Sequence, residues 1–148
     1  MLEQFIEKYR NKDLYDLSCS ETIVMAASDA YSLDLSEDFF HAMAPFSGGM
    51  YQDEACGALT GGLAIIGVVF TEKRAHDSEI LKEINAYFFE NFKKRLSCTH
   101  CEKLKELHRR EDVGCNPVIF EAGEALEETI NKFATKTYCK INPSKLQN

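Results

Sequence analysis

The chain has 148 residues, 45% of them hydrophobic, with 17 Lys and Arg against 24 Asp and Glu and a formal charge of −7. A domain of this size buries an apolar core without disulfide staples, which excludes a disordered, collagen-like or Pro-rich chain. The acidic balance, with no dense Lys/Arg tract, excludes a nucleic-acid surface, because neutralising phosphates takes a clustered positive face.

The 3.6-residue apolar periodicity recurs from end to end and strand-type alternation is scarce, so the expected fold class is all-α. Six or seven helices are expected to form a compact bundle around a Gly-rich central helix, as a single domain over residues 1–148. The first helix carries Leu2, Phe5, Ile6 and Tyr9 on one face and ends near Asn11-Lys12-Asp13. Ser18-Cys19-Ser20-Glu21 is a capping box that opens the second, whose apolar face is Ile23, Ala27, Ala30 and Tyr31. Asp34-Leu35-Ser36-Glu37 reads as another box, starting a third helix through Phe39, Phe40 and Met43 that Pro45 stops.

After the turn Ser47-Gly48-Gly49-Met50, Asp53 is expected to cap a fourth helix from Glu54 to about Phe70. No charge occurs from Ala55 to Phe70, so the segment is either a buried central helix or a membrane span. Sixteen residues reach only about 24 Å against a hydrocarbon core of roughly 30 Å, which favours the bundle centre and no membrane span. Gly57, Gly61, Gly62 and Gly67 fit that reading. Each weakens a helix by about 1 kcal/mol relative to Ala, a cost that makes sense where neighbouring backbones approach closely.

Asp77 or Ser78 is expected to cap a fifth helix with Ile80, Ile84, Phe88 and Phe92 inward, and Thr99-His100-Cys101-Glu102 reads as a box opening a sixth that reaches Leu107. Beyond Gly114, Asn116-Pro117 reads as a cap with a first-turn proline, and the seventh helix carries Ile119, Ala122, Leu126, Ile130 and Phe133. From about residue 135 the periodicity fades and a loosely packed tail is expected. Met25, Met43 and Met50 read as core fillers. Glu121, Glu124, Glu127 and Glu128 read as the wet face of the last helix, and Phe89, off the inner stripe, as a candidate homodimer contact.

Six cysteines are the unusual part of the composition. Glu3 and Glu7 near the start, with no apolar h-region, do not read as a signal peptide, and a cytoplasmic location is expected. In a reducing compartment such cysteines are reduced structural thiols, metal ligands or transient redox partners. Cys19, Cys56, Cys101 and Cys115 each fall in the first turn of an expected helix or just before it. Free amides and the positive dipole end there stabilise a thiolate and donate to ligating sulfur. Cys98 forms a CxxC with Cys101, but Glu102 stands where a c-type haem attachment needs His, and there is no second CxxC for a zinc ribbon. Cys139 reads as incidental. His41, His76, His100 and His108 fall on different elements with no triad or HExxH arrangement, and only His100 lies near the cysteine set.

Cys56-Gly57-Ala58-Leu59-Thr60-Gly61, with Cys19 ahead of it and Cys101 and Cys115 behind, resembles the CGAxxG signature of the C_GCAxxG_C_C family of redox-active proteins. The resemblance runs from about Leu17 to Ile130, with Ala55 standing where a small polar residue or Thr is frequent and Cys98 as an additional thiol. A related domain in split-Soret-type cytochromes looks like the part that holds an iron–sulfur cluster. By that resemblance Cys19, Cys56, Cys101 and Cys115 would be cluster ligands, with Cys98 a possible substitute. Three functions therefore stand open. One is an iron–sulfur protein, [2Fe–2S] or [4Fe–4S], exchanging electrons with a partner protein or sensing redox state. Another is a thiol–disulfide oxidoreductase using Cys98/Cys101 or Cys56. The third is a zinc-binding structural or interaction module on the same four thiols.

Overall fold

In the computed structural model, which describes residues 1–147, the helical periodicity is realised as seven α-helices. They are α1 (Leu2–Tyr9), α2 (Cys19–Tyr31), α3 (Glu37–Met43), α4 (Gly57–Phe70), α5 (Leu81–Leu96), α6 (Cys101–His108) and α7 (Asn116–Phe133). Among the described residues there is no β-strand, only two isolated bridges, Ala55 with His100 and Arg110 with Gly114. Short 3-10 turns follow α3 and precede α5.

The bundle forms around α4, which packs against α2, α5 and α7. No helix among the described residues is long and apolar enough to cross a membrane. The glycines of α4 act where close approach was expected. A Cβ on Gly61 would lie 2.9 Å from the Ser20 carbonyl oxygen and 3.2 Å from Ser20 Cα, and one on Gly57 would lie 3.1 Å from the Ser20 nitrogen. One on Gly62 would meet the Phe88 ring at 2.4 Å, so α5 lies against this strip as α2 does against the other. Gly67 differs, with nothing within 4 Å of its would-be Cβ.

Several helix starts depart from the capping rules for reasons of tertiary structure. The Ser18–Glu21 capping box is formed, with Ser18 Oγ accepting from the Glu21 amide and Glu21 Oε2 from the Ser18 amide. Helix α3 is capped by Ser36, which accepts from the Phe39 amide, whereas Asp34 sits two residues earlier in a left-handed conformation. Helix α4 begins at Gly57 rather than Glu54, because Glu54 to Cys56 pair with the chain at His100 and cannot also wind into a helix. The Thr99 box is not formed; His100 is the N-cap residue of α6 and uses its backbone in that bridge. Ile80, not Asp77 or Ser78, precedes α5, and Cys115 rather than Asn116 occupies the N-cap of α7. Met50 is 39% exposed and is not a core filler.

Beyond α7 the Lys140 amide donates to the Val69 carbonyl at 2.9 Å and Ile141 is buried. The glutamates of α7 are employed rather than merely wet: Glu121, Glu124 and Glu128 surround the Arg95 guanidinium of α5. Phe89 is half-buried against the core.

Candidate functional site: a convergence of helix starts

Each of the four signature cysteines stands at the beginning of a helix. Cys19 and Cys101 are the first residues of α2 and α6, and Cys56 and Cys115 are the N-cap residues of α4 and α7. Packing brings these starts to one end of the bundle. The Gly57 position lies 3.4 Å from Cys19 Cβ by its would-be Cβ, so the absence of a side chain after Cys56 is what lets the starts of α4 and α2 meet.

The start of α6 is locked to the same place by backbone. The Cys56 amide donates to the Thr99 carbonyl at 2.9 Å and the Cys101 amide donates to the Glu54 carbonyl at 2.7 Å, flanking the Ala55–His100 bridge. The preceding turn is unusual. Gly48, Gly49, Met50 and Tyr51 all have φ between 55° and 63°, and Asp53 has φ 53°. A left-handed run costs non-glycine residues roughly 1–2 kcal/mol each, so Met50 and Tyr51 are held there by their surroundings. Gly49 is required, since its would-be Cβ would overlap Cys101 Cβ at 2.7 Å. The turn also sets Asp53 within 2.5 Å of Lys105 Nζ on α6.

Cys115 is placed by the ring between Arg110 and Gly114, in which each amide donates to the other's carbonyl, at 3.0 and 2.7 Å. Arg10, at the end of α1, joins the starts of α2 and α7: its Nη1 donates to the Leu17 carbonyl at 2.8 Å and its Nε to Asn116 Oδ1 at 2.6 Å.

The thiols interact with one another. The neighbouring Cys19 thiol draws Cys115 down to about 6; burial opposes that shift, while Arg109, Arg10 and Lys105 reinforce it. Cys19, beside Cys115 and shielded from water, is pushed well above its ordinary range, in part by the charge of Cys56. Burial pushes Cys56 up to about 11 although the Ala58 and Leu59 amides face its sulfur, and Cys101 and Cys115 reinforce the rise. Cys101 is raised by burial, with Lys105 opposing. All four thiols therefore share one locality.

Among the described residues no three His, Cys, Asp or Glu side chains already stand as a metal-holding group, so a common centre requires the thiol side chains to turn. Cys98 lies just after the left-handed Ser97 that ends α5 and packs against the hydrophobic core. Cys139 is remote, beside the buried Tyr31. His100 is exposed, with Nδ1 3.7 Å from the Glu54 carboxylate, and His108 Nε2 is bonded to the Leu96 carbonyl. Arg10, Lys105 and Arg109 were not singled out by sequence, where nothing marks a cation on α1 or late in α6 as a neighbour of Cys115.

Four cysteines on helix starts packed toward one end of an all-helical bundle define a cysteine-centred class of protein. The chain belongs to the C_GCAxxG_C_C family, described as a putative redox-active protein, whose pattern matches residues 17–129 and so includes all four cysteines. No curated protein and no solved structure matches the chain.

Proposed function

We propose that Cys19, Cys56, Cys101 and Cys115 hold an iron–sulfur cluster and that the protein serves electron transfer or redox sensing with a partner protein. The observation that supports this reading is that four cysteines stand at the starts of four helices that pack toward one end of the bundle. A thiolate-ligated cluster is anionic, and in a chain of net charge −7 that charge must be offset locally. The positive ends of α2, α4, α6 and α7, with Arg10, Lys105 and Arg109, supply the offset. The Ala58 and Leu59 amides face the Cys56 sulfur, where they would tune the potential, and burial of Cys56 limits water. The bound group would supply one-electron chemistry, and the protein's own part is to fix the sulfurs, balance charge and shield them.

Reconstitution with iron and sulfide under anaerobic conditions tests this. Coloured protein with acid-labile sulfide is expected, lost in Cys19→Ser, Cys56→Ser, Cys101→Ser and Cys115→Ser and kept in Cys98→Ser and Cys139→Ser. Colourless protein without labile sulfide overturns the reading, and stoichiometric zinc by elemental analysis replaces it with a zinc module. Loss of the cluster in Cys98→Ser, with retention in Cys101→Ser, moves the fourth ligand to Cys98.

A further inference from the structure

We propose that the cleft between the end of α1 and the loop leading into α2 binds a small monocarboxylate with a planar apolar body, its carboxylate held by Arg10 and Lys12. The cleft has a volume of about 320 Å³ and is lined by Tyr9, Arg10, Lys12, Tyr15, Asp16 and Leu17. That lies at the small end of the range for ligand sites and has room for on the order of ten heavy atoms. Two cations face one carboxylate there, a balance that suits a single negative charge. Among the described residues neither cation has a carboxylate partner: Arg10 binds only Leu17 and Asn116, and Lys12 reaches only the Asp112 carbonyl, at 3.5 Å. Lys8 on the same helix, by contrast, is paired with Asp29 at 2.7 Å. The larger cavity near Phe70 offers no such preference, since its three cations are matched by three carboxylates and Arg74 is already bound to Asp77.

The guanidinium is oriented before any ligand arrives. Its Nε donates to Asn116 Oδ1 at 2.6 Å and its Nη1 to the Leu17 carbonyl at 2.8 Å, which fixes the plane of the group and leaves Nη2 without a protein partner. A planar fork held in this way matches a carboxylate and loses little freedom on binding one. The walls are aromatic: the Tyr9 and Tyr15 rings stand edge to face with centroids 4.9 Å apart. The Tyr9 hydroxyl donates to Asp29 at 2.7 Å, so that ring serves the cleft as apolar surface, whereas the Tyr15 hydroxyl has no protein partner among the described residues. The loop is braced as well, with the Leu14 and Tyr15 amides donating to the Asn11 carbonyl at 3.1 and 2.9 Å and the Asp13 amide to Asn11 Oδ1 at 3.0 Å. Inorganic phosphate would use the cations and leave the rings idle; a carboxylate on a planar apolar body uses both. No cysteine lines the cleft, so this site does not depend on the cluster reading.

The test titrates the reduced full chain with benzoate and follows nitrogen–proton correlation spectra. Saturable shifts of the Arg10 Nε–H signal and of the amides from Arg10 to Leu17 are expected, with a Kd in about the millimolar range. Benzyl alcohol, which has the ring without the charge, and inorganic phosphate, which has the charge without the ring, should each bind at least about tenfold more weakly. Arg10→Gln should weaken benzoate about tenfold or more. Because that change also removes the bonds to Leu17 and Asn116, Lys12→Met is the second variant: it alters an exposed side chain and should weaken benzoate about threefold with the other signals in place. Absence of saturable shifts, shifts centred elsewhere in the chain, or benzoate affinity unchanged in Lys12→Met overturns the site. Phosphate binding as tightly as benzoate, or benzyl alcohol doing so, overturns the assignment to an apolar carboxylate.

Discussion

Cys115 and Cys56 occupy the same formal position, the N-cap of a helix, yet are shifted in opposite directions. The difference lies in what each sulfur faces. Cys115 is influenced by the neighbouring Cys19 thiol and by three cations, whereas Cys56 is buried and its two facing amides do not offset the loss of water. Lowering the thiol means that the reactive thiolate is present above about pH 6 and is lost by protonation below it. Alkylation of the cofactor-free protein with iodoacetamide should therefore rise at Cys115 through about pH 6 and level off by neutrality, with Cys56, pushed up to about 11, unlabelled there. Quantitative mass spectrometry of the labelled peptides across pH checks this. Cys19→Ala should move the Cys115 half-point upward, because the first cause of its depression is removed; an unmoved half-point would leave the cations as the main cause.

The glycines of α4 separate helix propensity from packing. Gly61→Ala would place a methyl against the Ser20 backbone, which cannot step aside without moving α2 and with it Cys19. The gain of about 1 kcal/mol in propensity is outweighed by overpacking of about 1–3 kcal/mol, and a net loss of stability is expected. Gly67→Ala meets nothing, so the propensity gain stands alone and about 1 kcal/mol of stabilisation is expected. Urea midpoints of the two variants against wild type should move in opposite directions.

At the scale of the whole molecule, the polar tie between α5 and α7 runs through Arg95, which is 21% exposed and faces three carboxylates and Asn91. Because it is a network rather than an isolated surface pair, Arg95→Met should cost on the order of 1 kcal/mol, with a smaller cost in high salt, measured by thermal melts at two ionic strengths. Loading the proposed centre would cross-connect the starts of α2, α4, α6 and α7. Tm should therefore rise in the loaded protein and return to the cofactor-free value when the cluster is removed. An unchanged Tm would mean that the four starts are not joined.

The all-helical class, the seven helices and the placement of four cysteines at helix starts were legible because they depend on local information: apolar spacing within a few turns, and residue types within three or four positions of a helix end. The Ser18 box formed as read, and Gly61 and Gly62 make the close approaches their cost implied. Caps failed where a second partner competed for the same backbone. Glu54 to Cys56 were taken by the bridge to His100, and the left-handed turn before them rests on contact with Cys101, a residue far along the chain. The bonds from Arg10 to Leu17 and Asn116, the cations around Cys115 and the opposite shifts of two equivalent cysteines were decided by tertiary structure alone. Which sulfurs touch, and which charges surround them, depends on how distant helix ends pack, and that is written in no local spacing.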